Sequence, residues 1–280
     1  MKRFLKDFLF MLRKDRQGQI GFAIVLLVLL LGVAAPAIVP YDPVRTNPAD
    51  HRMAPCLAHF FGTDEAGMDI FSRCIYAIRI DVFIGFSGTM LSLLAGIVLG
   101  LLAGYYEGVF GEVVMRIADL FQAFPAFILA MALVAVLGNN MQNIIFVIAF
   151  VNAPIYLRFV RGEVLALKSR PFVEASHAAG MSDTTIMFRQ LLPNSLRPAL
   201  VQASVNIGAA ILLTAGLSFI GAGVSVPTPE WGSMISTGAP LILTGQWWCA
   251  FFPGVSIAFT VLGFAFVGDF LRLYLNPERR

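Results

Sequence analysis

Residues that do covalent or metal chemistry are few in this 280-residue chain, and their spacing assembles no reactive site. There is no Gly-x-x-x-x-Gly-Lys loop to hold a nucleotide phosphate, no His-Glu-x-x-His and no paired-cysteine spacing for zinc. His51, Cys56 and His59 are the nearest approach to a metal-ligand group, but three residues spread along one loop define no coordination geometry. Nothing in the chain argues for an enzyme. The informative stretch is RPFVEASHAAGMSDTTIMFRQLLPNSLRP, from Arg170 to Pro198. Its first helix is expected after Pro171, with Glu174 in the first turn where a negative charge suits the helix dipole. Ala175, Ala178 and Ala179 give it a low-relief surface, and Gly180 is suited to end it. Ser182 or Asp183 is expected to cap a second helix, which carries Ile186, Met187, Leu191 and Leu192 and ends by Pro193. A small-residue helix flanked by charge fits a docking element for another protein, and the residues alone fit a plain structural loop equally well.

The elements that must position this stretch are membrane spans. The chain is 58% apolar and 13% charged, with mean hydropathy +0.78, against about 25% charged in soluble domains. Five stretches contain no Asp, Glu, Lys or Arg: 17–41, 82–106, 120–157, 198–229 and 231–268. A bilayer core needs about 20 apolar residues per helix. Soluble enzymes, disordered chains and disulfide scaffolds are excluded, leaving an all-α polytopic membrane protein. Six spans are expected, at about 20–39, 82–105, 114–137, 144–160, 199–220 and 250–273. Gly96 and Gly100 in the second form a small-xxx-small pair that allows close helix approach. The stretch between spans five and six, broken only by Glu230 and containing Trp231, Trp247 and Trp248, reads as an outer helix or shallow re-entrant segment.

Lysine and arginine set the orientation, because positive loops stay inside. Lys2, Arg3, Lys6, Arg13, Lys14 and Arg16 precede the first span, six more lie between Arg158 and Arg197, and Arg272, Arg279 and Arg280 close the chain. Stretches 138–143 and 221–249 have none. Both termini and the 161–198 loop are therefore expected in the cytoplasm, and the acidic 40–80 loop outside. The net charge of +3 is too small to argue for nucleic acid. Residues 1–17 place Phe4, Leu5, Phe8, Leu9 and Leu12 at helical spacing among basic residues, which suits an amphipathic helix in the membrane interface. The membrane-spanning body would be 18–280. VAAPA at 33–37 resembles a signal-peptide cleavage site, but the apolar run is span-length, which favours an uncleaved anchor. Cys56 and Cys74 share the outer loop, where an oxidising compartment could join them, without geometric evidence of pairing. Gln122, Asn152, Ser204, Asn206 and Thr214 are the candidates for a polar, cavity-facing lining, with hydrogen bonding between helices as the plainer reading. Asp269 and Arg272, three residues apart, are expected to pair at the inner boundary.

Several motifs carry a resemblance. Glu174, Ala175 and Ser176, then Gly180, then Leu192-Pro193 are similar to the "EAA" loop of ABC importer permeases. HFFGTDEAGMDIFSRCIYAIRI, from His59 to Ile80, resembles the outer-loop signature of the C-type permeases of dipeptide, oligopeptide and nickel importers. Its matching residues are Gly62, Thr63, Asp64, Gly67, Asp69, Ser72 and Arg73. YDP at 41–43, FPA at 124–126, LSFIGAGV at 217–224, PEWGSMI at 229–235 and VGD at 267–269 extend the resemblance over nearly the whole chain. Four positions depart from it: Ser176 replaces an alanine, Gln190 an isoleucine, Met68 an arginine and Ala77 a glycine.

The resemblance implies the type I ABC importer permease fold in a bacterial inner membrane. It also implies a second homologous permease, two cytoplasmic ATPases that bind the ATP and magnesium, and an extracytoplasmic binding protein. This chain would carry no cofactor. Glu174, Ala175, Ser176, Ala178, Ala179 and Gly180 would form the coupling helix seated on one ATPase. Di- or oligopeptide would be the solute, with nickel or another small solute as the alternative. From a different class, an ion-coupled secondary transporter would need ionisable residues at mid-membrane depth, where a charge costs at least about 2.5–3.5 kcal/mol. The uncharged runs contain none.

Overall fold

The computed structural model describes residues 2–275, with side chains from Lys6 onward. The expectations for the side chains of Lys2, Arg3, Phe4 and Leu5, and for Arg279 and Arg280, lie outside the described residues. Helix α1 (Lys2–Lys14) leads through the cap residue Asp15 into α2 (Arg16–Ile38). Gln19 fixes the corner, its Nε2 donating to the Leu12 and Arg13 carbonyls at 2.9 and 3.0 Å, two of the orphan acceptors at the end of α1. A loop with one 3₁₀ turn (Pro48–Asp50) precedes α3 (Ile70–Tyr105). This helix starts inside the stretch read from sequence as outer loop, because Asp69 caps it.

Helices α4 (Val109–Gln122) and α5 (Ala126–Leu137) correct the single span expected at 114–137. The chain bends by 90° between them. Pro125 has no N–H and disfavours helix at the residue before it, so the run breaks at residues 123–125. Helix α6 (Met141–Lys168) follows, then α7 (Pro171–Ala178). A short turn, α8 (Asp183–Thr185), passes through a π-helical segment (Ile186–Leu191) directly into α9 (Leu192–Phe219). Pro193 therefore does not end the second loop helix. The widened π turn, in which Leu192 N–H reaches back to Met187 O, absorbs the missing donor and ring of Pro193. After α9 come the short α10 (Trp231–Gly238), a 3₁₀ segment (Ala239–Thr244) and α11 (Trp248–Leu275). Much of the stretch between the last two spans is therefore helical.

Five helices are long and apolar enough to cross a bilayer, and the bent α4–α5 pair brings the number to six when counted as one broken span. Helix α3 is the hub. Its small-residue stripe lies on α6, where a Cβ on Gly96 would sit 2.3 Å from Tyr156 Cβ and one on Gly100 2.7 Å from Leu157 O. Its packing builds the two largest of four apolar cores. One joins α2, α3, α9, α10 and α11 through Ile24, Ile78, Ile211, Trp231, Trp248 and Phe264. The other joins α3, α6, α9 and the loop between α6 and α9 through Leu101, Tyr156, Val164, Val173, Ile186 and Leu191. Phe8 anchors α1 edge-on to Phe22, Phe270 and Tyr274, at ring separations of 5.8, 5.2 and 5.3 Å. Leu26, Leu30, Phe86 and Leu94 lie exposed, as lipid-facing side chains do.

Candidate functional site

The loop between α6 and α9 is built to present one short helix. Pro171 at the first helical position fixes the entry to α7, and Val173, 1% exposed, drives into the second core. At the other end Gly180 N–H bonds His177 O at 2.9 Å and Met181 N–H bonds Ser176 O at 3.1 Å. This is a Schellman cap, and it requires the positive φ of +75° that Gly180 adopts. Glu174, Ala175, Ala178, Ala179 and Gly180 are exposed on this helix, between the exposed Phe172 and Met181. Ser176 is half-buried, donating to Phe172 O at 2.8 Å and accepting from Gln190 Nε2 at 2.8 Å. Tyr105 OH donates to Asp183 at 2.7 Å, and Lys168 Nζ donates to Tyr105 O and to Glu107 at 2.8 and 2.9 Å. The loop is thereby tied to the turn between α3 and α4. The six residues singled out from sequence come together in one capped, exposed helix.

The outer signature is also brought together, as an architectural knot. Thr63, fully buried, accepts from Met53 N–H at 2.8 Å and donates to the Asp50 carbonyl. Its own carbonyl accepts from Trp248 Nε1 at 3.2 Å. Asp64 Oδ1 takes the Ala66 and Met68 N–H groups, each at 2.9 Å. Burial raises the Asp64 pKa above the usual carboxylate value, against the lowering pull of those donors and of Arg73. Gly67 passes so close to Asn47 that a Cβ would lie 1.8 Å from its carbonyl oxygen. Asp69 caps α3 by accepting from Ser72 N and Oγ at 2.7 and 2.6 Å, and its other oxygen accepts from His59 Nδ1 at 2.9 Å. Arg73 donates to Pro43 O, Met68 Sδ and Pro227 O at 2.8, 2.9 and 3.3 Å, joining the outer loop to the chain before α10. Met68, which replaces an arginine of the resembled pattern, is here an acceptor for the guanidinium. Cys56 is exposed and Cys74 buried, and both are free.

The five candidate path residues do not form one group. Gln122 and Asn152 line a cavity of about 480 Å³ at the α4–α5 bend, beside the half-exposed Asp119–Arg158 ion pair of 2.6 Å. Thr214 is buried and bonds back to Ala210 O at 2.9 Å, and Ser204 does the same to Leu200 O at 3.4 Å. Asn206 is buried beside Tyr156. Asp269 and Arg272 form no ion pair among the described residues; both are exposed on α11. Sequence reasoning missed Asp81 and Glu230, which are fully buried and face each other. The available signal was two lone acids flanking long uncharged runs.

Comparison with known proteins agrees with this architecture. Residues 96–280 match the family model described as "Binding-protein-dependent transport system inner membrane component". Residues 3–55 match the "N-terminal TM domain of oligopeptide transport permease C". The dipeptide transport system permease protein DppC of Alkalihalophilus pseudofirmus is 40% identical over 96% of this chain and 88% of its own length. The chain belongs to the inner-membrane permeases of binding-protein-dependent ABC importers. Other permeases of the family include the glutathione permease GsiD of Pectobacterium atrosepticum, 38% identical over 91% of this chain and 84% of its own. The oligopeptide permease OppC of Bacillus subtilis is 36% identical over 98% and 90%. A solved inward-facing structure of the MetNI methionine ABC transporter shares the fold, with TM-score 0.57 and 20% identity over 72% of this chain and 96% of that one. Permeases of this family are multi-pass proteins of the bacterial inner membrane that work with further permease, ATPase and binding-protein subunits. They are not enzymes and carry no cofactor of their own. Family membership removes the stand-alone secondary transporter from consideration.

Proposed function

We propose that this chain forms half of the translocation path of an importer for short peptides, paired with a second, homologous permease and served by two cytoplasmic ATPases. The ATPases bind the ATP and magnesium, and an extracytoplasmic binding protein delivers the solute. The observation that carries the reading is the form of α7: a short, small-residue helix with an exposed face, held rigidly from beneath by Val173 and the Schellman cap. Such a helix transmits a push without yielding. Peptide as the solute is supported by relatives named for dipeptides, oligopeptides and glutathione.

In this reading the termini and the 161–198 loop face the cytoplasm, as their lysines and arginines favour. Helix α1 lies in the inner interface, with Leu9 and Phe10 exposed toward lipid. Ala175 and Ala178 admit the ATPase surface closely, and Glu174 supplies a polar contact. Gln122 and Asn152 belong to the wall of the path, because they share a polar cavity at a bend in the bundle.

The test is purification of the tagged protein in mild detergent, followed by uptake of a labelled dipeptide into proteoliposomes. A second permease and two ATPases should co-purify, and uptake should require ATP and binding protein. Gly180→Pro and Ala175→Arg should leave membrane assembly intact and abolish uptake. Uptake without ATP, or unchanged uptake in both variants, would overturn the assignment.

A further inference from the structure

Asp81 and Glu230 are 0% exposed. Glu230 stands immediately before α10 and caps it: its two oxygens accept from Gly232 N–H and Ser233 N–H at 2.8 and 2.7 Å. Two backbone donors at the positive end of the helix thus point at its carboxyl group. Asp81 reaches the same turn from α3. One of its oxygens accepts from Trp231 N–H at 3.2 Å, while Oδ1 has no donor. Both carboxyl groups thus meet at the N-terminal turn of α10, and two carboxylates side by side in a dry interior are not both retained as anions, so one of them holds a proton. Among the described residues no Lys, Arg or His lies within ion-pair distance of either acid, so no cation neutralises them in place of a proton. The buried Cys74 thiol lies two turns earlier on the same helix, α3.

We propose that Asp81 and Glu230 form a proton-binding site in which Asp81, as the carboxylic acid, donates through Oδ1 to the Glu230 carboxylate. The bound proton fastens α10 to α3. The fastening has a mechanical object, since α10 lies directly on the backbone of α9 and α11. A Cβ on Gly232 would be 2.3 Å from Ala215 O, and one on Gly238 2.6 Å from the Cys249 carbonyl carbon. When the proton leaves to a base in solution, two anions face each other in a water-free interior, an arrangement that buried acid pairs do not sustain. Helix α10 is then released and Cys249, covered by it, becomes accessible.

The experiment uses the full chain in lipid nanodiscs, alone and with its co-purified subunits. Infrared spectra of the wild type should show a protonated-carboxyl C=O band that is absent in Asp81→Asn, whose amide replaces the acid as donor. In peptide-resolved maleimide labelling, Cys249 should be protected at neutral pH in both proteins. At alkaline pH it should label severalfold faster in the wild type than in Asp81→Asn. If Asp81→Asn does not fold, Asp81→Ser serves as the second variant. A spectrum without a carboxyl band assignable to Asp81 would overturn the proposal, as would equal Cys249 labelling in wild type and variant at alkaline pH.

Discussion

Gln190 donates from Nε2 to the Ser176 hydroxyl at 2.8 Å, and these are the two positions at which this chain leaves the EAA pattern. The two departures are one feature. An alanine–isoleucine contact would hold α7 to the π segment by apolar packing, whereas here a hydrogen bond between two half-buried side chains does so. Ser176 spends its own hydrogen on Phe172 O, which leaves the oxygen free to accept from Gln190. Each single change, Ser176→Ala or Gln190→Ile, should destabilise the loop, and the double change should recover most of the loss. A double-mutant cycle on thermal unfolding of the assembled importer is expected to give a coupling energy of about 1 kcal/mol. Strict additivity would show that the two residues act separately.

Gly180 is tested by substitutions graded in backbone tolerance. A Cβ there meets nothing within 4 Å, so the penalty is conformational rather than steric. Gly180→Ala should cost about 1 kcal/mol, Gly180→Asn less and Gly180→Val more, following the ease with which each adopts positive φ. Peptide-stimulated ATPase activity of the complex should fall in the same order.

The close approach of α3 and α6 predicts a contrast between two glycines. Gly96→Val places new atoms where Tyr156 already lies and should cost at least about 3 kcal/mol, read as loss of folded protein in detergent. Gly162 sits on the exposed side of α6 with open space around it. Gly162→Ala should be neutral or stabilise by up to about 1 kcal/mol.

Asp64 gives the outer loop a pH dependence of unusual sign. Its pKa in the folded protein lies above the unfolded value, because burial opposes the charge. The folded state therefore binds the proton more tightly, and stability rises as the pH falls through that raised pKa. Hydrogen exchange of residues 40–69 should slow on mild acidification in the wild type, relative to Asp64→Asn. The variant keeps an acceptor for Ala66 and Met68 but has no charge to titrate. Identical pH profiles would refute this origin.

The spans were legible because charge is confined to their ends, and the docking helix because proline, small residues and glycine follow one another at helical spacing. Where prolines fall inside apolar runs, sequence is ambiguous. Pro125 breaks its helix by 90°, while Pro193 is absorbed by a π turn, and the local pattern around the two prolines does not tell these outcomes apart. The Asp81–Glu230 contact spans about half the chain and belongs to no local pattern. For the same reason the separation of Gln122 and Asn152 from Ser204, Asn206 and Thr214 could not be read from polarity alone.

From Asp183 to Phe219 the chain is helical without interruption, the π turn included. At about 1.5 Å per residue this is a rod long enough to cross the whole bilayer. Its foot is the loop that carries α7, and its upper part bears the backbone of α10. A single continuous shaft thus joins the loop that carries α7 to the helix on which α10 rests. Under the proposed function, a displacement of the foot would be carried along this shaft to the backbone on which α10 rests.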